Sequence, residues 1–221
     1  MKEDLPTQRI DAAGWSSAEL LAKLQGFQEG DRVNVQLEGQ KALSGICAGI
    51  DQALTVKVEG AVGNFACLLA SQATIDISGD VGDGFAHSLI SGHANARGSA
   101  GDFLAAYAGG GFVSVLGRAG FRCALGLNGG DVFVRSSVGD QAGCSMRQGT
   151  LVLGNGAGEQ LGAGMLGGTI YVRGEVKSLW AGLRNIRMKD PDFLRLSLLL
   201  ARAGIKSDGR DFKAYAPKAA K

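Results

Sequence analysis

Four acidic residues recur at intervals of nineteen residues or twice that, Asp83, Asp102, Asp140 and Glu159, each directly after a glycine. If the chain coils at that period, Asp83 lies beside Asp102 and Asp140 beside Glu159. Paired carboxylates are the equipment of acid–base catalysis and of calcium binding. Calcium-binding glycine–aspartate repeats, however, have a shorter period and more glycine and aspartate than this chain carries. A carboxylate at a glycine corner has a simpler use, accepting hydrogen bonds from backbone N–H groups that the turn leaves free, with Arg122 or Arg147 offsetting the charge. The column is therefore expected to serve structure.

The other reactive residue types are scattered. His87 and His93, the only histidines, fall in different columns, and the register places no Ser or Cys as an evident nucleophile partner, so each is expected at a surface or corner. Cys47, Cys67, Cys123 and Cys144 show no short paired spacing, and the last three occupy three different columns. Ligands of a metal or an iron–sulfur cluster must converge, so these read as small buried thiols of a reduced, cytoplasmic compartment. Gly154-Asn155-Gly156-Ala157-Gly158 imitates a dinucleotide fingerprint, but no helix pattern follows it and similar glycines recur in every row. Arg97, Arg135 and Arg173 share one position in alternate rows, a basic column suited to solvent or to an acidic partner. No catalytic, cofactor-binding or metal-binding residue is assigned.

The elements that carry these residues follow from the period. In rows of nineteen the chain aligns with itself seven times without a gap, the rows opening at Thr55, Thr74, His93, Phe112, Asp131, Thr150 and Thr169. The second and fourth positions are apolar, from Val56 and Val58 through Val113 and Val115 to Ile170 and Val172, with only Ala94 and Ala96 in the row at His93. Such alternation puts both positions on one face of a strand. The eighth position (Val62 to Val176) and the sixteenth (Ala70 to Met165, ending at Arg184) add apolar columns. The thirteenth is always small, as at Cys67, Ala105 and Gly143, which predicts a close approach of two walls. Glycine at the ninth position of six rows, and at the close of most, predicts corners where φ can be positive. The expected fold is all-β: a single-stranded right-handed β-helix of about seven nineteen-residue coils, with short helical caps at both termini.

Three regions result: a cap over residues 1–30, the solenoid over 31–185 and a tail over 186–221. Ser16-Ser17-Ala18-Glu19 has capping-box spacing ahead of a short amphipathic helix. Val33, Val35 and Leu37 resemble a row opening displaced by two residues, an irregular first coil. Asp190-Pro191 opens a helix that runs to Leu200 and stops near Gly204. Net charge is +2 with acids and bases nearly balanced, so nucleic acid and anionic membrane are not expected partners. Neither a signal peptide nor a membrane span is visible.

On the outward strand face the third position runs Lys57, Asp76, Asn95, Ser114, then Phe133, Val152 and Tyr171. The apolar half must be covered, by the C-terminal helix or by another subunit. Phe133, Val152 and Tyr171, with Arg97, Arg135 and Arg173, are the candidate partner interface.

The run from Gly158 through Met165-Leu166-Gly167-Gly168-Thr169-Ile170-Tyr171-Val172-Arg173-Gly174 resembles the GXGXG domain, over about residues 30–185. That domain forms the right-handed β-helix ending the glutamate synthase large chain. As a separate chain, this one is most similar to small glutamate-synthase-like subunits such as the middle subunit of N-methylglutamate synthase. The resemblance implies a hetero-oligomer with a class II glutamine-amidotransferase-like subunit and an FMN-binding glutamate-synthase-like subunit, the latter holding FMN and an iron–sulfur cluster. It also implies conversion of methylamine and glutamate to N-methylglutamate and ammonia, with the β-helix as a spacer lacking cofactors. Similar chains occur in formylmethanofuran dehydrogenase and in formyltransferase/hydrolase complexes; a stand-alone ligand-binding solenoid is the contrasting possibility. Ser136, Asn155 and Arg184 depart from the pattern.

Overall fold

A computed structural model describes residues 6–37 and 42–218. Strands β1 (Thr7–Asp11) and β2 (Arg32–Gln36) flank helix α1 (Ser17–Gln25). Seven strands then follow at the repeat period: β3 (Thr55–Glu59), β4 (Thr74–Ile77), β5 (His93–Ala96), β6 (Phe112–Val115), β7 (Asn128–Val134), β8 (Gln148–Leu153) and β9 (Thr169–Val172). Each of β3 to β8 pairs in parallel with the strand of the next row, Val56 on Ile75, Val113 on Val132, Leu151 on Ile170, so the chain is a β-solenoid of about seven turns. Val113, Val115 and Ala119 are buried, as are the second, fourth and sixteenth columns through Met165, so the nineteen-residue register is the one realised. The eighth column stacks as single bridges from Val62 to Val81 and Ala100, then from Ala119 to Val176.

The wall facing the strands is not a strand. Its eleventh, thirteenth and fifteenth positions have positive φ in the six rows from Thr55 to Thr150, as at Phe65, Cys67, Leu69, Phe103, Ala105 and Tyr107, with values of 52–60° at these six. A left-handed residue other than glycine costs roughly 1 kcal/mol, and the alternation recovers that cost through hydrogen bonds. Peptide planes flip in turn, so Phe103 N donates forward to Phe121 O (2.9 Å) and Ala105 N donates back to Phe85 O (2.8 Å). The flip also explains a column that strict alternation misses. Ala66, Phe85, Leu104, Cys123, Ala142 and Leu161, at the twelfth position, are buried together with their thirteenth-position neighbours. The thirteenth is small because it meets the strand wall: a Cβ on Gly143 would lie 2.7 Å from Ile170 Cδ1.

The two glycine columns differ in their reason. Row-closing Gly92, Gly111, Gly130, Gly149 and Gly168 have φ of 75–85°, the expected corners. Ninth-position glycines have no such φ; they are required by space, because the coil beneath passes within contact of where a Cβ would sit.

Both ends differ from the simplest expectation. The N-terminal cap contributes a strand as well as a helix: β1 pairs in parallel with β2, Ile10 beside Val35. β2 pairs with β3 as Val33 on Val56 and Val35 on Val58, an offset of twenty-three residues, so the first coil is displaced by four residues and not by two. Helix α1 is capped as expected, Glu19 Oε2 accepting from Ser16 N at 2.7 Å. At the other end β10 (Leu183–Ile186) is followed by helix α2 (Asp190–Arg202) and β11 (Lys213–Pro217). β11 returns antiparallel between β9 and β10, closing that end of the sheet.

The tail settles the covering of the apolar outer strip. Leu196, Leu199 and Leu200 of α2, with Phe212 and Ala214, pack on Phe112, Phe133, Val152 and Tyr171 as a second buried cluster. These residues are therefore not a free face for a partner, because the chain's own helix excludes water from them. Arg195 fastens α2 from outside, its Nη2 donating to Thr150 Oγ1 at 2.8 Å and lying 3.4 Å from Asp131 Oδ1.

Candidate functional site

The three aspartates of the acidic column are backbone caps, whereas the side chain of Glu159 is exposed. Asp83 Oδ1 accepts from Asp102 N, Asp102 Oδ1 from Phe121 N, and Asp140 Oδ1 from Glu159 N, each at 2.8 Å. Each carboxylate thus closes a donor of the next coil over a glycine whose missing Cβ leaves it room. Asp102→Ala is expected to destabilise the fold by about 1–2 kcal/mol, and Asp102→Asn, which keeps the acceptor, by much less. Urea unfolding of the pair checks this; equal losses in both would mean that the charge, not the acceptor, matters.

Cys47, Cys67 and Cys123 are equally structural, being buried in the core. Cys67 N donates to Ile46 O at 2.8 Å, which sets Cys47 against Cys67 in neighbouring coils, a pairing hidden in the sequence by the irregular first coil. Burial pushes the Cys47 and Cys123 thiols up to about 12. Cys67 is raised well above its ordinary value by burial first and by Cys47 second. Among the described residues no group of three His, Cys, Asp or Glu side chains is placed to hold a metal ion. No helix among them is long and apolar enough to cross a membrane.

The basic column divides. Arg173 serves the tail: its Nε donates to Gly154 O at 2.7 Å, its guanidinium lies over the Phe212 ring, and Nη1 is 3.5 Å from Asp211 Oδ2. Arg97 and Arg135 instead line a cleft of about 430 Å³ between the outward strand face and the C-terminal end of α2. Its floor is the polar half of the third column, linked across three coils. Ser114 Oγ donates to Asn95 Oδ1 (2.7 Å), and Asn95 Nδ2 to Asp76 Oδ1 (2.8 Å). Its far rim is Arg202 to Ile205.

Arg202 is held in place. Its guanidinium lies 4.4 Å over the Phe112 ring, and Nη2 donates to His93 Nε2 at 2.9 Å. His93 must then be neutral, with its proton on Nδ1. Burial first, then the Arg202 charge, lower its pKa from the ordinary 6.5, with Asp76 opposing. Burial also lowers His87. Between the lowered value and 6.5, the unfolded chain binds a proton that the folded chain refuses. Stability therefore rises with pH through that window, is fully present above 6.5 and is lost as pH falls through the window. Urea midpoints at about pH 5.5 and about pH 7.5 should show this slope, and His93→Gln should flatten it.

Sequence reasoning located Arg97 and Arg135 but missed Arg202, which reaches the cleft only because α2 folds back. The succession Asp76, Asn95, Ser114 in one column was the available signal for the floor. On the opposite wall, Phe65, Leu69, Ile90 and Tyr107 stand 47–56% exposed. His87 lies between the rings of Phe65 and Tyr107, at centroid distances of 6.3 and 5.6 Å. Glycines make this possible: the Phe65 ring occupies the space a Cβ would take on Gly84, and the Tyr107 ring does so at Gly126.

No protein-family model matches the chain, and no curated protein matches it.

Proposed function

We propose that this chain is a non-catalytic assembly subunit of a glutamate-synthase-like complex of the N-methylglutamate synthase type. It would join a glutamine-amidotransferase-like subunit to an FMN-binding synthase-like subunit. The observation that carries this reading is the division of labour among the side chains. Groups that could do chemistry, the three aspartates of the acidic column and three of the four thiols, are committed to coil stacking or sealed in the core. Large apolar side chains, by contrast, stand exposed on the wall of Phe65, Leu69, Ile90 and Tyr107. Clustered aromatic exposure on a rigid wall fits docking of another protein. An iron–sulfur cluster does not fit the cysteines of this chain: beyond the single Cys47–Cys67 neighbour pair no three ligand side chains gather among the described residues, and burial holds the deepest thiols protonated, so its ligands would belong to the flavin subunit. The reaction itself rests on the resemblance of the Gly158–Gly174 run.

The test is purification of the native complex followed by assay of N-methylglutamate formation from methylamine and glutamate. The expected result is activity and flavin in the three-subunit complex and neither in this chain alone. Co-purification with formylmethanofuran dehydrogenase subunits, or turnover by the isolated chain, would overturn the reading.

A further inference from the structure

The cleft beneath the end of α2 has a charge pattern that assembly does not explain. Three guanidiniums, those of Arg97, Arg135 and Arg202, face it with a single carboxylate, Asp76. Asp76 is already engaged by Asn95, and the guanidiniums of Arg97 and Arg135 make no ion pair or hydrogen bond among the described residues. Gathering like charges without partners opposes folding, and a fold that retains them leaves an excess of positive charge to be matched from outside. The cleft is also built: Arg202 is fixed between a ring and a histidine, and the floor is a hydrogen-bonded chain across three strands. Its volume suits a small ligand or one or two side chains of a peptide.

We propose that this cleft is a binding site for carboxylate groups, held by the forks of Arg97 and Arg135 with Arg202 at the rim. Planar guanidinium forks match a carboxylate in two-point contact. Asp76 beside them favours charge divided between two carboxylates over the same charge concentrated on one phosphate. With Asp76 set against three arginines the cleft retains two positive charges, the complement of a dicarboxylate. The carboxylates can belong to a free dicarboxylic acid or to acidic side chains of a docked protein segment. The site is independent of which complex the chain joins.

The full chain is titrated by calorimetry at low salt with glutarate, with a blocked hexaglutamate peptide and with inorganic phosphate, while His93 and Arg202 are followed by NMR. Saturable binding of glutarate or peptide is expected, with His93 and Arg202 signals moving. Arg97→Gln/Arg135→Gln should weaken it at least tenfold, whereas Lys177→Gln, in a different cleft, should not. Both arginines are exposed and unpaired, so the variant should keep the parent's melting temperature. Tenfold tighter binding of the peptide assigns the site to a protein segment; glutarate binding as tight or tighter assigns it to a free acid. No saturable binding of either, an equal loss in Lys177→Gln, or phosphate binding as tightly as both, would overturn the proposal.

Discussion

Phe133→Asp combined with Tyr171→Asp should detach the C-terminal tail while the coils stay folded. Both side chains leave the strand wall outward, into the layer shared with Leu196, Leu199 and Leu200, so the interior columns are untouched. Truncating one large buried aromatic costs about 3–5 kcal/mol, and a carboxylate left in an apolar layer adds a desolvation penalty. Against this, the tail retains the antiparallel pairing of β11 and a few partly exposed ion pairs, each worth little. The expected result is loss of amide-exchange protection over Asp190–Arg202, with protection in β3 to β6 unchanged. Leu198→Asp, on the exposed side of α2, should do nothing. Retained protection in the double variant would mean that the helix is held by its polar fastenings, not by the strip.

The second large effect is expected from one methyl group. A Cβ added to Gly139 would lie 2.8 Å from Gly120 C, 2.9 Å from Gly120 O and 2.9 Å from Phe121 N. All three are backbone atoms, so no side chain can move aside, and the two coils would have to part. Overpacking of this kind costs about 1–3 kcal/mol or more, and it would also stretch the bond from Gly139 N to Gly120 O, 3.1 Å in the intact stack. Gly109→Ala is the control, because a Cβ there meets nothing within 4 Å and the residue has no positive φ. Gly139→Ala should lower the melting temperature by several degrees and Gly109→Ala hardly at all. Similar melting temperatures would show that the coils yield more easily than their spacing implies.

The parts legible in the sequence were those that obey a period. Strand columns, the eighth and sixteenth positions and both helix caps came from spacing and cap chemistry alone. The twelfth column escaped because a wall of alternating handedness turns two successive residues inward, which no strand or helix period describes. β1 escaped because only Ile10 of its five residues is buried, too little to mark a strand. The outer strip shows in the sequence as a face that needs a cover, but where α2 lands, and hence whether helix or partner covers it, follows no period. The same landing brings Arg202 to the cleft, sixty-seven residues along the chain from Arg135 and far outside any repeat.

The unbroken register makes this molecule a ruler. Seven strands define six steps of about 4.8 Å, or roughly 29 Å from β3 to β9, and because each coil carries the same number of residues the length is quantised. Whatever is attached at the two ends is held at a distance that can change only by whole rows. Removing part of a row would turn every apolar column out of line, whereas removing a complete one would draw the ends together by a single step. Selection on such a chain can therefore adjust distance and surface chemistry separately, one by counting coils and the other by changing outward columns.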